Sequence, residues 1–297
     1  MKHIFKNGII RLISHLDYES RIKFTFFINR KKILNDKNSK AFSEKIIFRR
    51  VHPLPVFSLL SDKIAVRDYV KKKMGEKYLV PLYGTYDRLT EEDVERLPES
   101  FVLKANHGCG FNKIVLDKNK EDIDKLIEEA NGWLEIDYSK TFGEKHYENI
   151  KPKLLAEKLL LNDGKIPEDY KIHIFNRFDR PEQYIFIQVI SDRFDHPKKE
   201  LFSEDWSSPP FEIVGYATNN GEDCTSKPAC LGEMLNVAKV LSDGFGHCRI
   251  DLYIIEERIY FGEMTFTPRG GNFIFNPPSW DLILGDKFGW PEKDFCI

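Results

Sequence analysis

Cysteine is scarce and irregularly spaced in this chain of 297 residues. The five cysteines are odd in number, and no two of them stand in a CxxC spacing. Both observations argue against a disulfide framework and against a cysteine-based zinc site. A cytoplasmic protein in a reducing environment fits this usage better.

Long apolar runs and a strong net charge are lacking as well. No stretch reaches the ~18 apolar residues of a membrane-spanning helix, and no small-residue cleavage site follows an apolar segment. The formal net charge of −2 gives no general argument for binding nucleic acid. With 41% hydrophobic and 13% aromatic residues, the chain has ample material for a packed core.

The first 34 residues differ from the rest, because Lys and Arg alternate there with clusters of Phe and Ile. A basic amphipathic helix of this kind can lie on an anionic membrane surface, here the inner face of a membrane. The same pattern is typical of a surface helix that packs its apolar side on the body of the protein. Residues 1–45 are therefore predicted to form a basic helical leader, with peripheral membrane contact through residues 1–34 as one of two interpretations.

The remaining chain alternates between strand and helix patterns before it becomes rich in strands. Ser61 has the position of an N-cap for the helix that follows it, and Thr90 with Asp93 forms a capping pattern. Residues 195–230 contain four prolines and many polar residues, so we predict a long irregular segment there. The order of these patterns favours an α+β fold over a doubly wound α/β fold.

Two acids oppose each other in the hairpin sequence HCRIDLYIIEERIYFGEMTF, which runs from His247 to Phe266. A three-residue turn at 256–258 places Asp251 opposite Glu263, on one face with Arg249 and Thr265. Like charges at opposed positions are destabilising, so something must offset them. A divalent cation is one candidate, because Mg²⁺ prefers hard oxygen ligands. The alternative is a structural cluster in which Arg249 neutralises both acids.

A lysine and a glycine loop mark a second informative stretch, FVLKANHGCG. Lys104 ends an apolar strand, and the loop His107-Gly108-Cys109-Gly110 follows it. Successive backbone N–H groups in such a loop can form a concave anion site for phosphate. The GxxxxGK[ST] spacing of a P-loop is absent, and an ordinary hairpin turn is the alternative. No partner base can be assigned to Cys109, so it is treated as structural.

In combination and in this order, these stretches resemble the TupA-like ATP-grasp family of teichuronopeptide and polysaccharide biosynthesis. The resemblance spans about residues 45 to 290. It rests on the following segments: SDKIAVRDYV, LPESFVLKANHGCG, LLAEKLL, DYKIHIFN, the DR of ISDR, RIDLYIIEERIYFGEMTFTPRGG and WDLILG.

The resemblance implies an ATP-grasp fold whose two α+β subdomains grip ATP. It implies an N-terminal subdomain at 46–100, a mobile lid at 101–156 and a C-terminal subdomain at 157–297. Lys63 and Lys104 would bind the α- and β-phosphates, and the loop at 107–110 would close over the β- and γ-phosphates. The adenine would lie along the backbone of a hinge made of Glu157, Lys158, Leu159 and Leu160.

Further roles are implied by the same resemblance. Asp169 would contact the ribose. Arg249 and Lys104 would be the catalytic residues, and Arg249 would reach the γ-phosphate or the developing tetrahedral intermediate. Asp251 and Glu263 would hold Mg²⁺ together with Thr265, which stands where the family pattern more often has asparagine. Substrate contacts are predicted at Asp192, Arg193, Arg269 and Gly270, since guanidinium groups bind carboxylates in a bidentate way.

The implied reaction is amide formation between a carboxylate and an amine through an acyl phosphate. One partner would be a sugar or glycan precursor, for example a uronic acid joined to an amino acid or amino alcohol in surface polysaccharide biosynthesis. Two other classes stay open at this point. One is a glycosyltransferase or sugar kinase of a polysaccharide locus, and the other is a nucleotide-binding regulator that has lost turnover.

Overall fold

The computed structural model describes residues 17–30, 33–34, 39–192, 196–217 and 224–289. It combines helices with two principal antiparallel sheets, so the predicted α+β class is confirmed. The helices are α1 Tyr18–Arg30, α2 Phe42–Val51, α3 Pro55–Ser61, α4 Val66–Met74, α5 Glu91–Arg96, α6 Ile123–Leu134, α7 Tyr138–Phe142, α8 Leu231–Leu241 and α9 Ser279–Lys287. Short 3₁₀ turns lie at Glu76–Tyr78, Lys118–Lys120, Lys145–Tyr147 and Pro268–Gly271.

The strands are numbered in the same way along the described chain. They are β1 Leu82–Tyr86, β2 Phe101–Ala105, β3 Asn112–Val115, β4 Leu154–Lys158, β5 Asp169–Phe175, β6 Tyr184–Ser191, β7 Lys198–Ser203, β8 Glu212–Ile213, β9 His247–Ile255, β10 Arg258–Thr265 and β11 Phe275–Asn276. Strands β8 and β11 pair only with each other among the described elements.

The first sheet has the strand order β1-β4-β2-β3. Its apolar face packs on α5 and α6, through buried residues such as Leu103 and Ala156 on strands and Leu126 and Trp133 on α6. The N-terminus of α5 is fixed by the predicted capping box: Asp93 N–H donates to Thr90 Oγ1 and Thr90 N–H donates to the Asp93 carboxylate. Such a reciprocal cap satisfies two backbone donors that the helix itself leaves open.

The second sheet has the order β10-β9-β5-β6-β7. One face is apolar and packs on α3, α4 and α8, with Ile172 and Ile250 among its buried strand residues. The alternation along β5 places Tyr170, Ile172 and Ile174 in this core. Asp169, which precedes them, and Lys171, which lies between the first two, therefore point to the opposite face, where polar side chains of this sheet gather.

The β9–β10 hairpin confirms the predicted opposition of Asp251 and Glu263, although by a different route. The turn has two residues, Glu256 and Glu257, both at positive φ. Such a turn alone would place Gly262 opposite Asp251, but a register shift between Phe261 and Glu263 restores the pairing. This bulge lets Phe261 join the apolar core while Glu263 faces the polar side.

Two local predictions are wrong. Ser61 is the last residue of α3, and the Asp62 carboxylate instead accepts hydrogen bonds from Ile64 N–H at 2.8 Å and Ala65 N–H at 3.3 Å. The segment 195–230 contains β7 and β8 in its described part and is therefore more regular than expected. The apolar–polar alternation that would mark β7 as a strand is interrupted by Glu200. This acid points inward, and its carboxylate accepts a 3.0 Å hydrogen bond from Thr225 N–H.

Within the leader, α1 packs its apolar side on the body of the protein. Ile22 and Phe26 form a buried cluster with Ile47 and Val51 of α2. This packing favours the second interpretation of the leader, although residues 1–16 lie outside the described part. No helix of the described chain is long and apolar enough to cross a membrane.

The packing groups the chain differently from the predicted subdomain boundaries at 46–100, 101–156 and 157–297. Strand β1 shares a sheet with β2 and β3, and β4 runs across the predicted boundary at 156. Helices α3 and α4 pack on the second sheet. The proposed division into moving parts stays a prediction, because packing alone does not report motion.

Candidate active site

The predicted phosphate loop begins where β2 ends, and Asn106 holds its base. Asn106 Nδ2 donates to Asp62 Oδ1 at 3.0 Å, and its Oδ1 accepts from Lys153 N–H at 2.8 Å. The carbonyl of Asn106 accepts from Lys63 N–H at 3.3 Å. The loop is thereby tied both to the α3–α4 turn and to the start of β4.

Lys63 reaches the loop directly, because its Nζ donates to the carbonyl of Gly108. Burial lowers the pKa of Lys63 below its usual value, and the negative charge of Glu263 offsets part of that effect. The backbone of Gly108 passes close to the ring of Tyr138, and a Cβ at this position would meet that ring at 2.5 Å. Glycine is required here by this close approach of backbone to ring.

The two side chains at the centre of the loop take different positions. The ring of His107 is buried, 5.8 Å from the ring of Phe111 between centroids, and burial lowers its pKa. His107 thus helps to pack the loop. Cys109 is exposed as a residue. Partial desolvation still raises the pKa of its thiol, which argues against an activated nucleophile.

Lys104 and Glu157 form an ion pair between the neighbouring strands β2 and β4. Lys104 Nζ lies 2.6 Å from Glu157 Oε2, and Arg67 Nη1 lies 2.9 Å from Glu157 Oε1. Glu157 is only 6% exposed. Two cations, Lys104 and Arg67, pair with its buried carboxylate. Glu157 therefore fixes the position of Lys104 in addition to its predicted backbone role.

A pocket of about 570 Å³, part of it open to solvent, lies between the two sheets. It is lined by Val80, Val102, Lys104, Asn112, Ile114, Lys158, Leu159, Leu160, Ile166, Pro167, Asp169 and Tyr253. Five predicted nucleotide-binding residues thus share one cavity. Its apolar lining suits an adenine ring, and its charged lining residues are Lys104, Lys158 and Asp169.

The acid pair on the hairpin is bridged by Arg249. Arg249 Nε donates to Asp251 Oδ1 at 2.6 Å, and its Nη2 donates to Asp251 Oδ2 at 2.7 Å and to Glu263 Oε1 at 2.6 Å. Thr265 Oγ1 also donates to Glu263 Oε1, at 3.0 Å. The four predicted residues of the hairpin face therefore form one connected group.

Lys171 on β5 completes this group and was missed by the sequence reasoning. Its Nζ bonds to the Asp251 carboxylate and lies 2.7 Å from Asp169 Oδ2. Lys171 thereby connects the pocket to the hairpin. The alternation of β5 was the available signal, because DYKIHIF places Asp169 and Lys171 on the face opposite the apolar residues.

The environment moves the pKa values of the two opposed acids in opposite directions. Burial raises the pKa of Asp251 to about 6, although Arg249 and Lys171 favour its charged form. Burial alone would raise the pKa of Glu263 too, but Arg249, Lys63 and Lys171 lower it to about 2. Glu263 is thus the acid that keeps its charge most firmly at neutral pH.

The donor set on the hairpin fits Mg²⁺. Among the described residues, no group of three or more His, Cys, Asp and Glu side chains is placed to hold a metal. Mg²⁺ does not need such a group, because it commonly takes one or two carboxylates and completes its shell with water and phosphate oxygens. Asp251 and Glu263 can supply the carboxylates, and Thr265 offers a hydroxyl.

The predicted substrate residues are distributed less tightly. Asp192 is exposed at positive φ after β6, and Arg193 lies outside the described residues. Arg269 stands in the Pro268–Gly271 turn, with its guanidinium 5.8 Å from the ring centre of Tyr216. Gly270 follows it at φ +58°, and its carbonyl accepts from Arg50 Nη1 at 3.0 Å.

A family model described as TupA-like ATPgrasp matches residues 45–289. The chain belongs to the TupA-like ATP-grasp family. The match covers both sheets, the phosphate loop and the hairpin, so the suspected resemblance is confirmed. The family match also supports ATP and Mg²⁺ as the nucleotide and metal of this chain.

Solved structures with a similar fold are remote in sequence. D-alanine–D-alanine ligase from Helicobacter pylori is 16% identical with a TM-score of 0.46, over 77% of this chain and 61% of that one. L-amino acid ligase from Bacillus licheniformis is 12% identical with a TM-score of 0.46, over 86% and 56%. An ADP complex of N5-carboxyaminoimidazole ribonucleotide synthetase is 13% identical with a TM-score of 0.45, over 72% and 46%.

The chain thus spans only 46 to 61% of the length of these synthetases and ligases. Among curated proteins, none matches it in sequence.

Proposed function

We propose that this protein is an ATP-dependent carboxylate–amine ligase that forms an amide through an acyl phosphate. The observation that carries the proposal is the continuity between the pocket and the acid cluster. Lys104 and Asp169 line the pocket, Lys171 pairs with both Asp169 and Asp251, and Arg249 joins Asp251 to Glu263. This continuity supports a single site in which the pocket would take the adenine and the acid cluster would face the phosphates.

Each residue has a physical task in this reaction. Lys63 and Lys104 would offset the charge of the α- and β-phosphates, and the amides of the 107–110 loop would bind the β- and γ-phosphates. Arg249 is held beside Asp251 and Glu263. It would stabilise the charge that develops when the γ-phosphate is transferred to the carboxylate. Mg²⁺ bound at Asp251 and Glu263 would supply additional charge neutralisation on the phosphate oxygens.

We further propose that one substrate is part of a sugar or glycan precursor. A uronic acid is the concrete carboxylate, and an amino acid or amino alcohol is the concrete amine. Arg269 supports this, because its guanidinium is exposed in the turn that follows the acid hairpin and can bind a carboxylate in a bidentate way. The family's association with surface polysaccharide biosynthesis gives the biological context, and a location at the inner face of the membrane would fit it.

The test is product formation from ATP, glucuronate or galacturonate and an amine such as ethanolamine or glycine. The ligase requires that ADP and phosphate appear only when both substrates are present, with the amide detected by mass spectrometry. ADP together with a phosphorylated sugar, without need of an amine, would instead identify a sugar kinase. Tight ATP binding without turnover would identify a nucleotide-binding regulator.

A further inference from the structure

The Pro268–Gly271 turn, which follows the acid hairpin, has an unusual backbone. Arg269, Gly270 and Gly271 adopt φ values of +51°, +58° and +82°. Glycine takes such values freely, but they cost a residue with a side chain energy. A residue such as Arg269 keeps this conformation only where the surrounding structure holds it. The contacts around the turn are therefore part of what positions the Arg269 side chain.

Helix α2 supplies contacts of this kind. A Cβ on Gly271 would meet the side chain of Ile47 at 2.7 Å and the carbonyl of Ser43 at 2.8 Å, so the backbone of the turn lies directly on the helix. Three residues after Ile47, Arg50 Nη1 donates to Gly270 O at 3.0 Å. Arg50 thus binds the turn through the carbonyl that follows Arg269.

The rest of the Arg50 guanidinium binds a second segment, at the end of α7. Its Nε donates to Gly143 O and its Nη2 to Phe142 O, both at 2.8 Å. The ring of Phe142 stacks on that of Tyr138 with centroids 4.4 Å apart, and Tyr138 lies against Gly108 of the phosphate loop. One side chain therefore connects the wall of the phosphate loop to the turn after the hairpin.

Arg269 carries the functional group that this turn presents. It is exposed, and its guanidinium lies 5.8 Å from the ring centre of Tyr216 and 5.5 Å from that of Phe273. Within the described part of the chain, no carboxylate pairs with it. Arg249, by contrast, is bonded to both acids of the hairpin. The Arg269 guanidinium is thus held beside two rings and is available to the carboxylate of a ligand.

We propose that Arg50 is the positioning residue of the carboxylate-donor subsite: it sets the distance between Arg269, which binds the donor, and the phosphate loop. The inference rests on the proposed ligase function. A donor carboxylate oxygen forms its bond to the γ-phosphorus while the bond from that phosphorus to the β–γ bridging oxygen breaks and ADP leaves. The reacting atoms must lie about 3–3.5 Å apart, and a displacement of about 1 Å can cost about 100-fold in rate.

The first test separates the two substrates by steady-state kinetics. Arg50→Lys keeps the charge, but one ammonium group cannot replace a planar fork that binds three carbonyls. With ATP, ethanolamine and glucuronate or galacturonate, the KM for the hexuronate should rise at least about tenfold. The KM for ATP should change less than about twofold, because Tyr138 keeps its edge contacts with Phe111 and Tyr147.

Arg177→Lys is the matched control. Arg177 also ties separate segments, through hydrogen bonds to Asp179 and Asp286, but it lies outside the proposed site. Both KM values should be those of the wild type in this variant. A lower kcat with both KM values unchanged in Arg50→Lys would indicate a structural role only and would overturn the inference. An equal rise of both KM values would overturn it as well.

Gly143→Ala reaches the same guanidinium from the other segment. The added methyl group would meet Arg50 Nη2 at 2.8 Å. This variant should therefore also raise the KM for the hexuronate, although the change lies outside the turn that carries Arg269. Gly75→Ala is the control, because Gly75 has positive φ too and a Cβ there meets nothing within 4 Å. The same KM for the hexuronate in both glycine variants would contradict the proposed link.

An NMR measurement tests the positioning without any substrate. In protein labelled with isotopic arginine, the Nε–H signal of Arg269 is the one that disappears in Arg269→Lys. The rings of Tyr216 and Phe273 should displace this signal from the position of a solvent-exposed arginine. Arg50→Lys should return it toward that position, and Arg177→Lys should leave it in place.

The outcomes of this measurement distinguish the inference from the proposed function. An Arg269 signal that is unchanged in Arg50→Lys would overturn the positioning role, whatever the substrates are. The expected shift, together with failure of both hexuronates as substrates, would support the positioning role and count against the proposed function alone.

Discussion

Asp251 and Glu263 oppose each other across the β9–β10 hairpin, and Arg249 donates hydrogen bonds to both carboxylates. Opposed acids are destabilising unless cations compensate them. Here Arg249 and Lys171 supply two such cations, and the hairpin face remains strongly polar in the middle of a buried sheet. Such an arrangement costs stability, so we relate it to function.

The two acids are predicted to be required for turnover. Asp251→Asn and Glu263→Gln should each lower kcat by about 100-fold or more, because each removes a ligand for the metal that offsets phosphate charge. Steady-state rates of ADP formation measure the effect, and circular dichroism verifies the fold. Glu257→Gln, at the exposed tip of the same hairpin, is the matched control. Near-normal rates in both acid variants would remove metal binding from this hairpin.

The bulge at Gly262 is predicted to be needed for that opposition. A Cβ at this position would meet the Tyr253 ring at 3.0 Å and the carbonyl of Asp251 at 3.1 Å. Gly262→Ala should therefore lower the free energy of unfolding by about 1–3 kcal/mol, the usual cost of overpacking. Denaturant titration checks this value. An unchanged midpoint would show that the strand accommodates a side chain there without shifting.

Lys171 is predicted to contribute to stability as well as to the site. Its ammonium pairs with Asp169 and Asp251, which are each 2% exposed. Lys171→Met leaves two buried acids with less compensation and should cost about 3–5 kcal/mol of unfolding free energy. Lys199→Met, on the exposed side of β7, is the control for loss of one lysine. Equal stability of the two variants would contradict the role given to Lys171.

The contact between Gly108 and Tyr138 is predicted to set the position of the phosphate loop. Gly108→Ala should raise the KM for ATP by about tenfold or more, since the added methyl group must push the loop off the ring and displace its amides from the phosphates. Gly132→Ala is the matched control, because a Cβ there meets nothing within 4 Å. A KM for ATP that is the same in both variants would argue against phosphate binding by this loop.

Glu144 is predicted to make the folded protein less stable as the pH rises. Its pKa is raised in the folded state from the ordinary 4.5 to about 7, so the folded protein holds a proton that the unfolded chain releases across this range. The free energy of unfolding should therefore fall between pH 4.5 and 7 by this contribution, and Glu144→Gln should abolish it. Unfolding titrations at pH 5, 6 and 7 compare the two proteins; parallel curves would contradict the prediction.

Much of the site follows from local sequence patterns. The glycine loop after β2 and the opposed acids were predicted from strand alternation, and the capping box from its residue types. The turn of the hairpin was not, because Glu256 and Glu257 adopt positive φ without the Asn or Gly that usually marks a two-residue turn. The bulge at Gly262 compensates for the shorter turn, so Asp251 still lies opposite Glu263, although not through the predicted three-residue turn.

The contacts between distant segments could not be predicted from spacing. Arg50, Gly143 and Gly270 lie far apart in the chain and meet only because α2, the 138–147 segment and the turn after β10 converge. Lys171 was within reach of prediction, since a lysine on the polar side of a buried strand needs a partner. The resemblance to the family supplied the roles, while the packing supplied these additional neighbours.

The most direct test of the account is a crystal structure of the protein with Mg²⁺ and a non-hydrolysable ATP analogue. We expect the adenine beside residues 158–160, the phosphates between Lys63, Lys104 and the 107–110 loop, and the metal on Asp251 and Glu263. A nucleotide bound on another surface, or a metal held away from both acids, would contradict the account.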